Sequence, residues 1–354
     1  MSDLALKRPA DATPWSKKSS RNVRLIVAAS LFPLAISLAI GQILSIPAAL
    51  TLIGIFLPIQ IVASIAAARF SGLRNSAPDA VLIVVTYFLV TLFAILLGSL
   101  LTTLIVKGTE SIKLNTLYQN NHYVSLATPL NYGGVGHAIV GTFIIVGISA
   151  LIAVPLGFAV AIYLTETRGR LRFLVRTIVQ SLSGLPSIVA GLFIFAIIIL
   201  PGYMPQVGFT GALALALLML PTVARTAEEV LKLVPADLRS ASVALGASRK
   251  AAFFQVIAPT AKSGLVTALL LGIARVIGET APLLLTTIPS QETNLNPFSG
   301  PMSTMPTYVY AYVTDPHDAL QHRAWSGSFI MLVVVALVFA LARIVSTKRT
   351  RTKK

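Results

Sequence analysis

An arginine and a glutamate lie near the middle of a strongly apolar segment, residues 263–288. They are Arg275 and Glu279, and their spacing of four places them one turn apart on the same face of an α-helix. A charged side chain at mid-bilayer costs roughly 2.5 to 3.5 kcal/mol on insertion scales and therefore needs compensation. The planar guanidinium group matches a tetrahedral oxyanion, and a neighbouring carboxylate can hold it in place. The spacing predicts an ion pair that lines an anion path or, alternatively, one that only locks two helices together.

Residues around this pair favour a protein-lined environment over lipid. Thr280 adds a neutral hydrogen-bonding group. Gly264, Ala268 and Gly272 recur every four residues on nearly the same face, and such small residues let another helix approach closely. Pro282 follows and predicts a kink. We therefore expect the charged pair to face a helix interface or an aqueous path.

A second group of charges ends the preceding apolar segment. Arg225 is followed at helical spacing by Glu228, Glu229 and Lys232. Arg225 is a further candidate for the anion path, and a surface cluster of ion pairs is the alternative interpretation.

A polar stretch at residues 226–262, called the coupling loop below, separates two apolar segments. Small and apolar residues recur in it at helical spacing and predict a short helix that turns this face to a partner outside the membrane. They are Val234, Leu238, Ala241, Ser242 and Leu245. Gly246 is expected to end that helix, and a second helix capped by Ser248 is expected to run on to Pro259. The alternative is a segment that lies on lipid head groups and contacts no partner.

The composition is that of a membrane protein. Of 354 residues, 55% are hydrophobic and 11% are charged, and the mean hydropathy is +0.83. Apolar segments of about 18 residues or more can cross ~30 Å of hydrocarbon as helices. Eight such segments are present, at residues 23–44, 46–68, 80–106, 138–164, 182–200, 207–227, 263–288 and 325–344. The predicted fold class is an all-α polytopic membrane protein.

The distribution of the 28 lysine and arginine residues predicts the orientation in the membrane. They concentrate at both termini, in alternate loops and in the coupling loop, and short cytoplasmic loops collect positive charge. Both termini are therefore expected in the cytoplasm, with only Lys107, Lys113 and Arg323 in loops on the outside. The net charge of +16 also attracts anionic lipid head groups. It does not indicate nucleic-acid binding, because no basic stripe interleaved with aromatic residues lies on a soluble face.

Several kinds of site are not predicted. The chain has no cysteine, which excludes thiolate metal sites and thiol catalysis, and its four histidines are not at metal-ligand spacing. No glycine-rich phosphate loop is present, so the chain cannot bind ATP by that route, and no catalytic residue is predicted. Two longer external loops, residues 107–137 and 289–324, are either solvated connections or docking sites for an external partner.

The coupling loop and three other runs carry recognisable motifs. The loop contains Ser240-Ala241-Ser242, then Gly246, then Val256-Ile257-Ala258-Pro259. The other runs are IAVPLGFAVAIYLTE at 152–166, GLPSIVAGLF at 184–193 and GIARVIGETAPLLL at 272–285. These motifs resemble those of the permease subunits of ATP-binding-cassette importers, and most closely the A-type permease of the bacterial phosphate-specific system. The family's coupling signature begins Glu-Ala-Ala, so the spacing is kept while Ser240 replaces the glutamate.

The resemblance implies a domain organisation. A six-span permease core would occupy residues 80–347 and include the coupling loop at 226–262. Two additional N-terminal transmembrane helices are expected from the apolar segments at 23–75; they and the basic tail at 1–22 fall outside the resemblance. A second basic tail would lie at 348–354.

The resemblance also implies a function: the permease subunit of an ATP-driven phosphate importer in the bacterial plasma membrane. Its partners would be a second permease, a dimer of ATP-binding subunits carrying ATP-Mg, and an external phosphate-binding protein. The chain itself would be a transport subunit, with no cofactor of its own. The substrate path would include Arg275, Glu279, Thr280 and Arg225. The coupling residues would be Ser240, Ala241, Ser242, Gly246 and Pro259.

Other functions remain open from the residues alone. A permease for another oxyanion, such as molybdate, sulfate or phosphonate, would have a similar sequence. A secondary transporter or channel would carry carboxylates in several spans, whereas Glu279 is the only acidic residue well inside a predicted span. A receptor or scaffold would leave the charged pair and the coupling loop without a role.

Overall fold

The computed structural model describes residues 20–47, 50–70, 76–110, 112–130, 132–167 and 169–351. Throughout these ranges the regular secondary structure is helical, and no strand occurs in them. The all-α prediction is thus confirmed. Most of the predicted tail at 1–22, and the last three residues of the tail at 348–354, lie outside the described residues.

The described helices follow one another through short connections. They are α1 Ser20–Ile43, α2 Leu57–Phe70, α3 Ser76–Thr109, α4 Gly136–Glu166, α5 Leu171–Ser183, α6 Ser187–Ile194, α7 Gly208–Lys232, α8 Ala236–Ala244, α9 Arg249–Ala252, α10 Ala258–Val276, α11 Ala281–Thr286, α12 Met305–Val313 and α13 Asp318–Arg351. Three π-helical turns, Thr51–Phe56, Phe195–Ile199 and Phe253–Ile257, continue into or out of their neighbouring helices.

Five of the described helical stretches are long and apolar enough to cross a membrane. They are Val81–Thr109, Gly136–Glu166, Gly208–Lys232, Arg249–Val276 and Asp318–Ala340. The pair α5 and α6 adds a sixth span if the two helices are counted together. The first two predicted segments correspond to α1 and α2, whose shorter apolar stretches are Phe32–Ile43 and Thr51–Ala66. A polytopic membrane protein is therefore confirmed, and the count of eight spans stays a prediction.

The chain divides into two compact units, and the first is Met1–Leu101. Polar side chains are buried inside this apolar unit and bond locally. In α2 the Gln60 amide donates to the Ser64 hydroxyl at 3.2 Å, with both residues buried. In α1 the Ser37 hydroxyl donates to the Leu34 carbonyl at 2.9 Å. These bonds satisfy groups that would otherwise be costly to bury.

The second unit, Thr102–Lys354, is built around α7. Leu215 and Met219 of α7 are fully buried, together with Ile145 of α4. A Cβ atom on Gly272 of α10 would lie 2.6 Å from Cγ2 of Val223 in α7, so only glycine allows this approach. The expectation that the small-residue stripe receives another helix is confirmed.

The prediction of one continuous span at 182–200 is wrong. The helix α5 ends at Ser183, α6 begins at Ser187, and the two are bent by 108° at the break. Pro186 explains the break, because proline disfavours the helical conformation of the residue before it. Apolar side chains of α5 at Leu171 and Leu174 are exposed, while Val179 is buried. The predicted span was based on hydropathy alone, so it joined the end of this amphipathic helix to the apolar helix that follows.

The predicted span at 263–288 is also interrupted. The helix α10 ends at Val276, and α11 starts at Ala281 with Pro282 in its first turn. Proline is well tolerated there because the first amides of a helix have no intrahelical acceptor. The expected kink at Pro282 is therefore a complete break, which begins after Val276 and contains Glu279.

Candidate functional site

Arg275 and Glu279 do not form the predicted ion pair. Both residues are described, and no nitrogen–oxygen pair between their side chains comes within ion-pair distance there. The reason is the end of α10: Arg275 is in its last turn, whereas Glu279 lies in the turn that follows, where its amide donates to the Val276 carbonyl at 3.1 Å. Glu279 and Thr280 are half-buried, and Arg275 is exposed.

Arg275 contacts α7 instead. Its Nη1 donates to the Thr222 hydroxyl at 3.2 Å. Thr222 was not predicted from the sequence, although it lies one helical turn before Arg225 and so shares a face with it. The contact leaves most of the guanidinium donors of Arg275 available to a ligand.

Arg225 lies at a cleft of about 220 Å³ at the end of α7 that adjoins the coupling loop. One wall is formed by Arg176, Val179 and Gln180 of α5, and the other by Arg225, Glu228, Glu229 and Lys232 of α7. Thr222, Arg225 and Glu229 recur at intervals of three and four on α7. A polar row therefore leads from Arg275 along α7 into the cleft.

The ion pairs near Arg225 centre on Glu228. This buried carboxylate accepts a bond from Arg176 at 2.6 Å and one from Lys232 at 2.6 Å. Arg225 makes no ion pair with any residue that the structure describes, and it is exposed. The ion-pair interpretation thus holds for Glu228 and Lys232 and not for Arg225, whose charge faces the cleft.

The coupling loop forms the first predicted helix, α8, but the predicted second helix does not end at Pro259: α9 continues through the π-helical turn Phe253–Ile257 into α10 as one stretch, Arg249–Val276. Gly246 separates α8 from α9 with φ of +85°, a conformation that favours glycine. Ser248 caps α9, since its hydroxyl accepts a bond from the Ala251 amide at 3.2 Å. Pro259 closely follows the π-helical turn Phe253–Ile257, a local irregularity of the kind found where a proline interrupts the hydrogen bonds of a helix.

The small and apolar residues that were predicted to share one exposed face of α8 are not all exposed. Leu238, Ala241 and Leu245 are exposed, as is the neighbouring Ser240. Val234 and Ser242 instead are buried. The expectation of one common exposed face is corrected: Val234 lies before α8, beyond the bend at Pro235, and Ser242 is buried although it lies on α8 itself.

Sequence reasoning missed a connection between the coupling loop and the rest of the second unit. The guanidinium of Arg239 in α8 forms an ion pair with Glu166, the last residue of α4. Its Nη2 also donates to the Leu231 carbonyl of α7 at 3.2 Å. Arg239 and Glu166 are separated by 73 residues, so no local spacing could have indicated their contact.

The loop between α3 and α4 is packed against other loops and helices of the second unit. Buried Arg323 donates to the carbonyls of Tyr132 at 2.7 Å and Pro129 at 3.2 Å. Buried Asn121 donates to the Tyr312 hydroxyl at 2.9 Å. Such bonds fix the loop in one shape. Among the described residues, no group of three or more metal-binding side chains is close enough to hold a metal ion.

Several known proteins are similar to this chain. The chain is 44% identical over 223 residues to the phosphate transport system permease protein PstA 1 of Mycobacterium tuberculosis, covering 62% of this chain and 72% of that protein. It is 35% identical over 251 residues to the phosphate transport system permease protein PstA of Haemophilus influenzae, covering 69% of this chain and 85% of that one. An inward-facing structure of the MetNI methionine ABC transporter matches with a TM-score of 0.48 and 19% identity over 61% of this chain and 94% of that one.

The resemblance stated from the coupling loop and the three other runs is confirmed by these relatives. The family model described as binding-protein-dependent transport system inner membrane component matches residues 153–351, which include the coupling loop, Arg275 and the cleft. That match spans more than half of the 354 residues. The chain belongs to the family of binding-protein-dependent transport system inner membrane components.

Proposed function

We propose that the chain is the membrane-spanning permease subunit of an ATP-driven phosphate importer. The observation that carries the proposal is the row of Arg275, Thr222 and Arg225, which leads to the cleft at the coupling-loop end of α7. Two guanidinium groups with a hydroxyl between them offer successive sites of moderate affinity for a tetrahedral oxyanion. Passage requires such sites, because an anion held too tightly at one of them would not leave. The names of the relatives support phosphate as the oxyanion.

The coupling loop supports an ATPase as a partner. Its exposed side chains include Leu238, Ala241 and Leu245, and Leu245 is 90% exposed. Apolar side chains that are exposed on a short helix can pack into a complementary groove of a partner protein. ATP-Mg would bind to the ATPase, of which two copies would be seated on this subunit and on a second permease. Ser240, Ala241, Ser242, Gly246 and Pro259 form or shape this coupling surface.

The opposite end of the helices would receive an external phosphate-binding protein. The loop fixed by Arg323 and Asn121 exposes Tyr118 and Tyr123, which are 70% and 88% exposed. Aromatic side chains on a preformed surface are favourable for protein contacts. In the orientation given by the positive charges, both termini and the coupling loop lie in the cytoplasm of the bacterial cell.

Reconstitution tests the function directly. The purified complex in lipid vesicles, with the external binding protein added, should take up radiolabelled phosphate only when Mg-ATP is supplied on the side of the ATPase. Excess sulfate and molybdate should not compete. Competition by one of them at equal concentration would assign the chain to that oxyanion. Uptake driven by an ion gradient without ATP would instead identify a secondary transporter.

A further inference from the structure

Few side chains of the short helix α8 are buried. Ser242 is its one buried residue, and most of its other side chains are exposed. Apolar contacts hold the chain on either side of α8: Val234 before it and Phe253 after it pack in a cluster with Leu231 of α7. Between these two fixed points, α8 can tilt unless a further contact holds it.

Arg239 supplies that contact from the middle of α8. One nitrogen of its guanidinium pairs with the Glu166 carboxylate at the end of α4, and the other donates to the Leu231 carbonyl of α7 at 3.2 Å. A single side chain therefore joins three helices. The side chains of Arg239 and Glu166 are only 28% and 25% exposed, so water screens their attraction less than at an open surface.

Arginine is specifically suited to this position. The Leu231 carbonyl belongs to the last turn of α7, where carbonyl groups have no intrahelical donor. The rigid fork of the guanidinium can serve this carbonyl and the carboxylate at once, whereas a lysine ammonium is a point charge with a different reach. The adjacent Ser240 takes no part, since it is exposed and its hydroxyl bonds the Ala236 carbonyl of its own helix at 3.2 Å.

We infer that Arg239 is a positioning residue that transmits displacement of α8 to α4 and α7. The inference rests on the proposed function, because α8 is moved by the ATPase only if the coupling loop seats one. The helix α7 carries Thr222 and Arg225, so a shift of its coupling-loop end moves the polar row of the anion path. In this arrangement Arg239 adds two side-chain contacts, to Glu166 and to the Leu231 carbonyl, through which force on α8 reaches α4 and α7.

Four variants of the full complex test the inference. Arg239→Met removes both bonds but keeps an unbranched apolar stem, and Glu166→Gln keeps an oxygen acceptor but removes its charge. Arg239→Lys keeps the charge without the fork. The double exchange Arg239→Glu with Glu166→Arg restores the attraction between α8 and α4 but not the bond to α7. Arg249→Met is the matched control, since Arg249 is an exposed cation of α9 in the same loop.

The quantity to measure is phosphate moved per ATP hydrolysed, in vesicles normalised to assembled complex. We expect Arg239→Met to assemble and to hydrolyse ATP within about twofold of wild type, while phosphate per ATP falls about tenfold. Arg239→Lys, Glu166→Gln and the double exchange should give intermediate ratios, and Arg249→Met should match wild type.

An unchanged ratio in assembled Arg239→Met complexes would overturn the inference, because it would show that the contact only stabilises the subunit. If that variant fails to assemble, phosphate moved per ATP is measured for Arg239→Lys and Glu166→Gln instead, and wild-type values for both would overturn the inference. Absence of ATP-dependent uptake in the wild-type complex would instead refute the proposed function, so the two failures are distinguishable.

Discussion

At the scale of single residues, the proposed anion path depends on how Arg275 is held. The sequence places a carboxylate four residues away, yet the guanidinium bonds a neutral hydroxyl, that of Thr222. An arginine neutralised by a carboxylate at short range would attract an anion weakly, whereas one that is oriented by a hydroxyl keeps its full charge. Glu279 lies within the break that follows α10, and in the proposed path it would limit the dwell of an anion without cancelling the charge of Arg275.

Thr222→Val tests this orientation, because valine keeps the shape of threonine and removes the acceptor. We expect the variant to assemble normally and phosphate uptake to fall about fivefold, which corresponds to ~1 kcal/mol for one hydrogen bond to a charged group at an exposed site. The control is Thr177→Val in α5, where the hydroxyl bonds only the Phe173 carbonyl of its own helix. Equal uptake by the Thr222 and Thr177 variants would show that the hydroxyl does not position Arg275.

At the scale of elements, the bend between α8 and α9 depends on the backbone of Gly246. A Cβ atom added there would meet no atom within 4 Å, so the cost of substitution comes from the φ of +85° alone. For residues other than glycine this conformation costs roughly 1–2 kcal/mol, and asparagine tolerates it better than valine.

We therefore expect Gly246→Val to insert in the membrane but to lower both ATPase binding and phosphate uptake, with Gly246→Asn closer to wild type. Copurification of the ATPase and uptake measure the two effects. Gly147→Ala is the matched control, since Gly147 lies in α4 with open space around it and an ordinary helical backbone. If Gly246→Val kept full ATPase binding and uptake, the bend would have no part in coupling.

Local signals predicted the elements that depend on neighbouring residues. The helix end at Gly246 and the Ser248 cap follow from side chains within a few positions. The break between α10 and α11 was underestimated, since Pro282 indicated a kink but not its extent. The contacts of Arg239 with Glu166 and of Arg275 with Thr222 join residues 73 and 53 positions apart. Only tertiary packing determines such pairs, so half of the candidate site could not be found from spacing.

At the scale of the whole molecule, the orientation in the membrane decides which end meets the ATPase. The positive charges predict that the coupling loop is cytoplasmic and that the loop before α4 is external. The chain has no cysteine, so single cysteines can be introduced as reporters. Ser248 and Asn120 are both exposed and lie in these two loops.

In intact cells, an impermeant thiol reagent should label an Asn120→Cys variant and should not label a Ser248→Cys variant until the membrane is opened. Blotting for the labelled protein measures both. Labelling of Ser248→Cys from outside, with protection of Asn120→Cys, would reverse the orientation and remove the coupling loop from the ATPase.

The central claim, that Arg275 lines the path of phosphate, is tested most directly by uptake of radiolabelled phosphate into vesicles by the Arg275→Gln complex, normalised to assembled complex. We predict that the variant assembles and binds the ATPase but that its uptake falls to background. The double exchange Arg275→Glu with Glu279→Arg should not restore uptake, because the two side chains form no ion pair among the described residues. Wild-type uptake by assembled Arg275→Gln complexes would contradict the anion path. Recovery of assembly and uptake by the double exchange would show instead that the two residues lock helices together.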